Sequence, residues 1–274
     1  MFKFNFNNES AEIDEEFSKQ SQDVPLKESK KIEWTQEQYR ICADNIRNSK
    51  VNCFVSNDIE IGYLDSTSMV ESNDTDLIPR VYEGGFKIWE CTQDLADLFS
   101  NNEGEVDFQD KIVCDLGCSA GVLGILSLVK NAVHLDFQDY NEEVLEKFTM
   151  PNVILNCEER SKPEDFLKCT FYCGDWTSFA DLTCDDRKYD IILTSETIYN
   201  PESYSKLIEL FKARLDRKGK IYLSAKSYYF GVAGNILDFI KYLEKDGSFN
   251  FDILWKSING VQREILLIKF KCEK

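Results

Sequence analysis

Histidine is nearly absent from this 274-residue sequence, which contains only His134. The ten cysteines form no C-x-x-C pair, so the ligand spacing of a zinc site is missing and we expect no metal centre. Several cysteines, such as Cys114, lie in apolar stretches and are interpreted as buried, reduced thiols. We expect His134 to be structural, because no motif partner accompanies it.

Long hydrophobic runs are also missing. No apolar run approaches the roughly 18 residues that a membrane span needs. The N-terminal MFKFNFNNESAEIDEEF has no basic segment followed by an apolar core, so it does not match a secretory signal. These two absences predict a soluble, intracellular protein that does not bind membranes.

Basic residues are fewer than acidic ones. The sequence contains 32 Lys and Arg and 49 Asp and Glu, and its net charge is −17. An acidic surface repels phosphate, so direct binding of nucleic acid is disfavoured. A basic protein partner fits better, although acidity is often only a solubility device. The hydrophobic fraction of 43% is ample for a core, and the length allows one α/β domain with a tail or two small domains.

The first 70 residues are interpreted as an acidic N-terminal extension that precedes a domain of residues 71–274. Residues 1–32 are polar and predicted to be mostly disordered, with FKFNF able to dock as a short strand. A short helix is predicted within 33–47. The alternation in residues 51–64, with Asn57 and Asp58 as a turn, predicts a hairpin.

Strand and helix patterns alternate through the rest of the chain. Strands are predicted at KIVCDLG, AVHLDFQDYN, TFYCGDW, YDIILTSETIYN, KIYLSAKSYYF, FDILWKSI and EILLIKFKC. NEEVLEKFTMPNVILN is interpreted as a helix followed by a strand, and SYSKLIELFKARLDRKGK as an amphipathic helix that ends at Gly219. The last two strands flank an Asn-Gly turn and pair antiparallel. The alternation predicts a doubly wound, mostly parallel α/β sheet with helices on both faces.

The turn VCDLGCSAG, which follows the first strand of this α/β part, is where such sheets bind ligands. Its glycines, Gly117, Gly121 and Gly124, miss the G-x-G-x-x-G spacing of dinucleotide-binding proteins. Asp115, two residues before Gly117, would repel a pyrophosphate and suits a cofactor that carries an ammonium group. The turn therefore disfavours an NAD enzyme.

S-adenosylmethionine carries an ammonium, a sulfonium and a ribose diol, and it has no phosphate. Asp139, at the end of the second strand, stands where a ribose acceptor is expected. At the end of the third strand, Asp175 can accept a hydrogen bond from the adenine amino group, and Trp176 can pack against the adenine ring. Each aspartate alone could equally be a helix N-cap or turn residue, but three acids at three strand ends favour this cofactor.

Six stretches together resemble the eukaryotic protein-histidine N-methyltransferases that modify a histidine of a large-subunit ribosomal protein: VYEGGFKIWECT, VCDLGCSAG, FQDYN, GDW, LTSETIYNP and SAKSYYFGVAG. The resemblance covers about residues 75–274, and ExxY within TSETIYNP corresponds to a motif of a wider group of protein lysine and histidine methyltransferases. It implies a seven-stranded, Rossmann-like class I methyltransferase sheet with an antiparallel C-terminal hairpin strand. It also implies S-adenosylmethionine as cofactor, a basic ribosomal-protein substrate, and a monomer in cytoplasm and nucleus.

The same resemblance assigns residues to the cofactor pocket. They are Ile88, Trp89, Glu90, Cys91, Thr92, Gly117, Gln138, Asp139, Tyr140, Gly174, Asp175, Trp176 and Ser195. Family members usually read GCGSG where this chain reads GCSAG. We expect Ser119 to change little if its φ is negative.

Glu196 is the predicted catalytic residue, because a carboxylate can accept the N–H of an imidazole and so free the lone pair of the other nitrogen. Tyr199 and Asn200 are predicted to frame the acceptor slot. A structural role remains open for both Glu196, paired with a basic side chain, and Tyr199, packed in the core. Tyr228, Tyr229 and Phe230 are as well explained by core packing as by a substrate entrance. A lysine methyltransferase and a non-catalytic binding module with the same fold are the rival functions.

Overall fold

The computed structural model describes residues 26–67, 69, 80–101 and 106–271, so the FKFNF segment lies outside the described residues. Strands and helices alternate along most of these ranges. The strands are β1 (Lys30–Lys31), β2 (Val51–Ser56), β3 (Ile59–Leu64), β4 (Ile112–Leu116), β5 (His134–Asp139), β6 (Cys169–Cys173), β7 (Tyr189–Ser195), β8 (Leu215–Lys226), β9 (Phe249–Lys256) and β10 (Arg263–Phe270).

Eight of these strands form one sheet in the order β1-β6-β5-β4-β7-β8-β10-β9. The five strands from β6 to β8 pair in parallel, while β10 lies antiparallel between β8 and β9. The predicted class, a mostly parallel sheet with an antiparallel C-terminal hairpin, is confirmed. An eighth strand was not expected: β1, from the N-terminal extension, pairs antiparallel with β6.

Helices cover both faces of the sheet. They are α1 (Gln36–Asn48), α2 (Glu90–Ser100), α3 (Val122–Val129), α4 (Glu142–Val144), α5 (Met150–Glu159), α6 (Trp176–Leu182), α7 (Tyr204–Arg214) and α8 (Ile236–Asp246), with a π-helical turn (Leu145–Thr149) joining α4 to α5. Successive strand residues such as Val113 and Cys114 belong to two different buried clusters, because side chains alternate across a strand. No helix in the described part of the chain is long and apolar enough to span a membrane.

The strand predicted at the end of NEEVLEKFTMPNVILN is wrong, because this segment is helical throughout. Residues 150–157 of α5 are all buried, so an apolar run here marks a helix enclosed on every side. Asn152 and Asn156 accept hydrogen bonds from the backbone N–H groups of Leu64 (2.9 Å) and Gly62 (3.0 Å). The helix therefore holds strand β3, whose hairpin with β2 occurs where the sequence predicted one.

The predicted helix stop at Gly219 is also wrong, since α7 ends at Arg214 and β8 begins at Leu215. A side chain at Gly219 would place Cβ 2.7 Å from Leu215 Cδ1 and 2.9 Å from the Tyr189 carbonyl oxygen. This glycine permits close packing beside β7 and does not cap a helix. Arg214 is fully buried, and its guanidinium donates to the carbonyl of Arg187 at 2.8 Å, which anchors the junction.

Candidate active site at the carboxyl ends of the parallel strands

The candidate site lies where β4 pairs with β5 on one side and with β7 on the other. Chain connections run in opposite directions from this point, so the segments that follow the strands diverge and leave a crevice. The predicted site residues lie at or just after the carboxyl ends of β4, β5, β6 and β7, or in the segment that leads into α2 and in its first turn. The structure therefore brings the predicted positions to one edge of the sheet, and their roles stay a prediction.

In the turn after β4, every second residue has a positive φ: Gly117 (68°), Ser119 (50°) and Gly121 (77°). A Cβ at Gly117 would lie 2.7 Å from Thr197 Cγ2, so this position needs glycine. We expected Ser119 to change little if its φ were negative, but its φ is positive. Its hydroxyl donates to the Lys87 carbonyl at 2.9 Å, a bond that glycine could not make and that offsets part of the strain of a left-handed serine.

Asp115 is tied to the helix that follows the turn. Its Oδ2 accepts a hydrogen bond from Gly124 N at 2.9 Å, and burial raises the pKa of its carboxyl to about 8. A carboxyl with this pKa is mostly protonated at pH 7, which weakens the predicted attraction for an ammonium group. That role of Asp115 stays a prediction, while its contact with α3 is structural.

Asp139, by contrast, spans the ends of two strands. Its Oδ2 accepts from Ser119 N and its Oδ1 accepts from Asn141 N, both at 3.1 Å. Burial raises the pKa of this carboxyl to about 6, so it remains largely ionised at pH 7. Each oxygen of an ionised carboxylate has a second lone-pair site, and these sites fit the two hydroxyls of a ribose.

The residues predicted around the adenine are held by one another. Gln138 Nε2 donates to the Gly174 carbonyl at 2.8 Å, and Gln138 Oε1 accepts from Trp176 Nε1 at 3.0 Å. Asp175 caps α6 by accepting from Thr177 N at 3.0 Å. It also pairs with Lys206 Nζ at 2.8 Å. The structural alternative for Asp175, a helix N-cap, is thus present in the structure.

Sequence reasoning missed an N-terminal segment that lies against this end of the sheet. Lys27 accepts through its carbonyl from Asp175 N at 2.9 Å, and its own N–H donates to Tyr140 Oη at 3.3 Å. Gly174 has a φ of 109°, and a Cβ there would lie 2.6 Å from Ser29 Cα. No local pattern marks this contact, because the two segments are far apart in the sequence.

The IWECT stretch leads into α2. Thr92 Oγ1 lies 2.9 Å from Ser195 Oγ, so this pair joins the start of α2 to the end of β7. Trp89 Nε1 donates to the Gly84 carbonyl at 3.3 Å. Cys91 is fully buried behind these residues, and burial raises the pKa of its thiol. Ile88 is half-buried against the core.

Glu196 is the first residue after β7 and has a φ of 58°. Its side chain is only 5% exposed, and neither carboxylate oxygen has a hydrogen bond of good geometry to the described residues. Its Oε1 lies 3.3 Å from Lys226 Nζ, so the predicted alternative, a pairing with a basic side chain, is present. Burial, and then the charge of Glu196, raise the pKa of the neighbouring Tyr229.

The other two predicted catalytic residues have structural partners. The hydroxyl of Tyr199 donates to Glu83, the first residue of the EGG sequence. Asn200 Oδ1 accepts from Glu202 N at 3.0 Å and caps a short 3-10 helix. Glu83 was overlooked as a site residue, although it lies in a stretch, VYEGGFKIWECT, that carries the family resemblance.

The sheet order, the left-handed turn after β4 and the carboxylate of Asp139 together define a Rossmann-like methyltransferase fold of class I. In agreement, SMU.776, described as a methyltransferase and crystallised with S-adenosylhomocysteine, matches with a TM-score of 0.56 over 98% of this chain and 83% of that chain. At 12% sequence identity, this likeness shows the fold.

Sequence comparison narrows the class. A family model described as lysine methyltransferase matches residues 80–245. Histidine protein methyltransferase 1 of Schizosaccharomyces pombe is 30% identical over 76% of this chain and 74% of that protein. The rat homolog is 40% identical over 73% of this chain, and the Dictyostelium discoideum homolog is 44% identical over 62%. The chain belongs to this family of methyltransferases, within the group named for histidine.

The chain spans about 60% of the length of the curated rat and mouse relatives and 52% of the Dictyostelium one.

Proposed function

We propose that the protein is an S-adenosylmethionine-dependent protein-histidine N-methyltransferase that acts on a basic protein of the large ribosomal subunit. One observation carries the proposal: the buried carboxylate of Glu196 stands at the carboxyl end of β7, where Lys226 Nζ lies 3.3 Å from Oε1 and Oε2 has no hydrogen-bond partner among the described residues. Thr197, the next residue, contacts the turn after β4 at the position of Gly117. An acceptor for an N–H group therefore adjoins the cofactor turn.

When bound, S-adenosylmethionine supplies the methyl group on its sulfonium. The residues that fit this cofactor are Asp139, whose carboxylate can accept from the ribose hydroxyls, and Gly117, whose missing side chain leaves room for close approach. Thr92 and Ser195 offer hydroxyls at the carboxyl end of β7. Their donors and acceptors match a ligand with a diol and an ammonium, and they include no dedicated phosphate contact.

Glu196 would orient the acceptor. A neutral imidazole has one N–H and one free lone pair, and a carboxylate that accepts the N–H fixes which nitrogen faces the methyl group. Transfer makes the ring positive, and the same carboxylate stabilises that charge and takes the proton afterwards. The burial of Glu196 strengthens both effects, because water competes less for the carboxylate.

The charge of the chain supports a basic substrate. With a net charge of −17, the protein attracts a positively charged partner over long range and so accelerates encounter. A ribosomal protein meets this description, and it is synthesised in the cytoplasm and assembled in the nucleus, where we place the enzyme. We propose that it acts as a monomer, which sedimentation would check, and fluorescence microscopy of a tagged chain would check its location.

The decisive experiment uses labelled S-adenosylmethionine with proteins extracted from large ribosomal subunits, followed by mass spectrometry to locate the methyl group. A methyl group on histidine supports the proposal, whereas transfer to other residues alone or no transfer contradicts it. Glu196→Gln serves as the matched variant, since it keeps the side-chain shape and removes the charge.

Methyl transfer to lysine is the second candidate, because the matched family model is described as lysine methyltransferase. A lysine must lose a proton before it attacks, so its methylation would rise more steeply with pH than that of histidine. The other rival function is a non-catalytic binding module. If the protein is such a module, titration with S-adenosylmethionine gives no heat of binding.

A further inference from the structure

Lys226, the last residue of β8, places its ammonium between two acids of the candidate site. Its Nζ lies 3.3 Å from Glu196 Oε1 and 2.8 Å from Glu90 Oε2. The same nitrogen lies 5.3 Å from the ring centre of Trp89 and 5.9 Å from that of Tyr229. Only 15% of the Lys226 side chain is exposed, so this position is well enclosed.

These four neighbours form what we call the cation cage: Glu90, Trp89, Glu196 and Tyr229. Carboxylates attract a cation, and aromatic faces add to the attraction through their quadrupoles. Trp89 and Glu90 belong to the predicted cofactor pocket and Glu196 to the predicted acceptor slot, so the cage lies where the two regions meet. Its occupant in this structure is a lysine of the chain itself.

Two other cations lie near the cage, Arg263 and Lys87. Arg263, which pairs with Lys226 across β8 and β10, binds Asp94 through its Nε at 2.6 Å and its Nη2 at 3.1 Å. Lys87 Nζ lies 4.3 Å from the ring centre of Trp89, whereas Lys226 is the ammonium that pairs directly with both Glu90 and Glu196. Without Lys226, the buried carboxylate of Glu196 and the carboxylate of Glu90, whose side chain is 62% exposed, would face a space that attracts a cation.

We propose that Lys226 is a specificity residue that keeps a lysine ammonium out of the cage and admits an uncharged imidazole. This inference rests on the proposed function and refines it, since it explains why a relative of lysine methyltransferases would select histidine. A second ammonium beside Lys226 is repelled, whereas a neutral ring gains from Glu196 and the aromatic faces. Lys226 acts through the charge of the cage and takes no part in the transfer.

The test measures binding of two side-chain mimics, n-butylammonium and imidazole, at about pH 8.5, where the first is charged and the second neutral. We expect Lys226→Met to bind n-butylammonium about tenfold more tightly than the unchanged protein, with imidazole affinity altered far less. Lys226→Arg should keep the original selectivity. Equal n-butylammonium affinity in the Lys226→Met and unchanged proteins, or an equal gain for both mimics, overturns the inference.

Lys212→Met is the matched control, because Lys212 also lies between two acids, Glu209 (2.5 Å) and Asp246 (3.0 Å), away from the candidate site. It should leave the ratio of the two affinities unchanged. If Lys226→Met does not fold by circular dichroism, Lys226→Gln replaces it in the same titration. Because the mimics need no cofactor or methyl transfer, this measurement decides the inference even if the enzyme assay shows no activity.

An activity assay adds a second readout. With labelled S-adenosylmethionine and proteins of large ribosomal subunits, Lys226→Met should raise the proportion of methyl groups found on lysine relative to histidine. A product distribution identical to that of the unchanged protein contradicts the inference. Absence of transfer by the unchanged protein contradicts the proposed function and leaves the decision on Lys226 to the titration.

Discussion

The carboxylate of Asp139 and the backbone N–H of Ser119 are joined by a hydrogen bond of 3.1 Å that links the ends of β5 and β4. This bond fixes the turn of the candidate cofactor site from the neighbouring strand. Since Glu196 stands at the end of β7, binding and transfer are assigned to acids on different strands. The two assignments can therefore be separated by mutation.

Asp139→Ala should weaken S-adenosylmethionine binding by about tenfold or more, because it removes acceptors for the ribose. Glu196→Gln should leave the dissociation constant almost unchanged and slow methyl transfer by about a hundredfold. Calorimetry and single-turnover kinetics measure the two quantities. An equal loss of cofactor affinity in both variants contradicts the division of roles.

Ser119 carries a positive φ of 50° together with a hydroxyl bond to the Lys87 carbonyl. Ser119→Ala keeps the strain and loses the bond, so we expect the free energy of unfolding to fall by about 1 kcal/mol. Ser119→Gly loses the bond but relieves the strain, so its net change should stay within about 0.5 kcal/mol. Urea denaturation compares them, and an equal effect in both variants would refute the strain argument.

Gly174→Ala should displace the N-terminal segment, because its Cβ would lie 2.6 Å from Ser29 Cα, a backbone atom. We expect a loss of about 2–4 kcal/mol in stability and faster amide exchange at Ile32, whose N–H donates to the Phe171 carbonyl. Gly231→Ala is the control, since it has a φ of 78° but open space around it. Equal losses in the two variants would show that backbone strain, and not contact with Ser29, sets the cost.

Because the pKa of the Asp115 carboxyl is raised, we expect the stability of the protein to depend on pH. Burial raises the pKa of its carboxyl from 3.8 to about 8, so the folded protein holds a proton that the unfolded chain releases. Stability must then decrease as pH rises between these values, by an amount on the order of 5 kcal/mol for this group alone. Asp115→Asn cannot ionise and keeps an acceptor for Gly124 N.

The difference in unfolding free energy between Asp115→Asn and the unchanged protein should therefore shift in favour of the variant from pH 5 to pH 8. Denaturation by urea at both pH values measures it. A difference that stays constant with pH would mean that Asp115 ionises normally in the folded state. The charge of Asp139 also raises the pKa of the Asp115 carboxyl, so the difference reports Asp115 together with this interaction.

Local patterns predicted the strands of the sheet well, because buried parallel strands read as short apolar runs with turns between them. They failed at PNVILN, where burial on all sides gives a helix the same appearance. The prediction that Gly219 ends a helix was also wrong. This glycine leaves room for close packing beside β7, and a local sequence pattern does not show that requirement.

The sequence predicted which residues lie at the candidate site, but it did not predict the contacts that their side chains make. The sequence indicated that Asp115, Asp139 and Asp175 end neighbouring strands. It left open that Asp115 would bond to Gly124 N and that Asp175 would cap α6 and pair with Lys206. A side chain at a strand end can turn in several directions, and its neighbours in space decide among them.

By itself, the sequence determined the fold class, the family and the strand ends that hold the candidate site residues, because these depend on periodicity and on motifs within single segments. Only the tertiary structure brought Lys226 between Glu90 and Glu196 and laid Lys27 beside Tyr140. Such contacts join residues distant in the chain, and their geometry arises from packing the whole sheet.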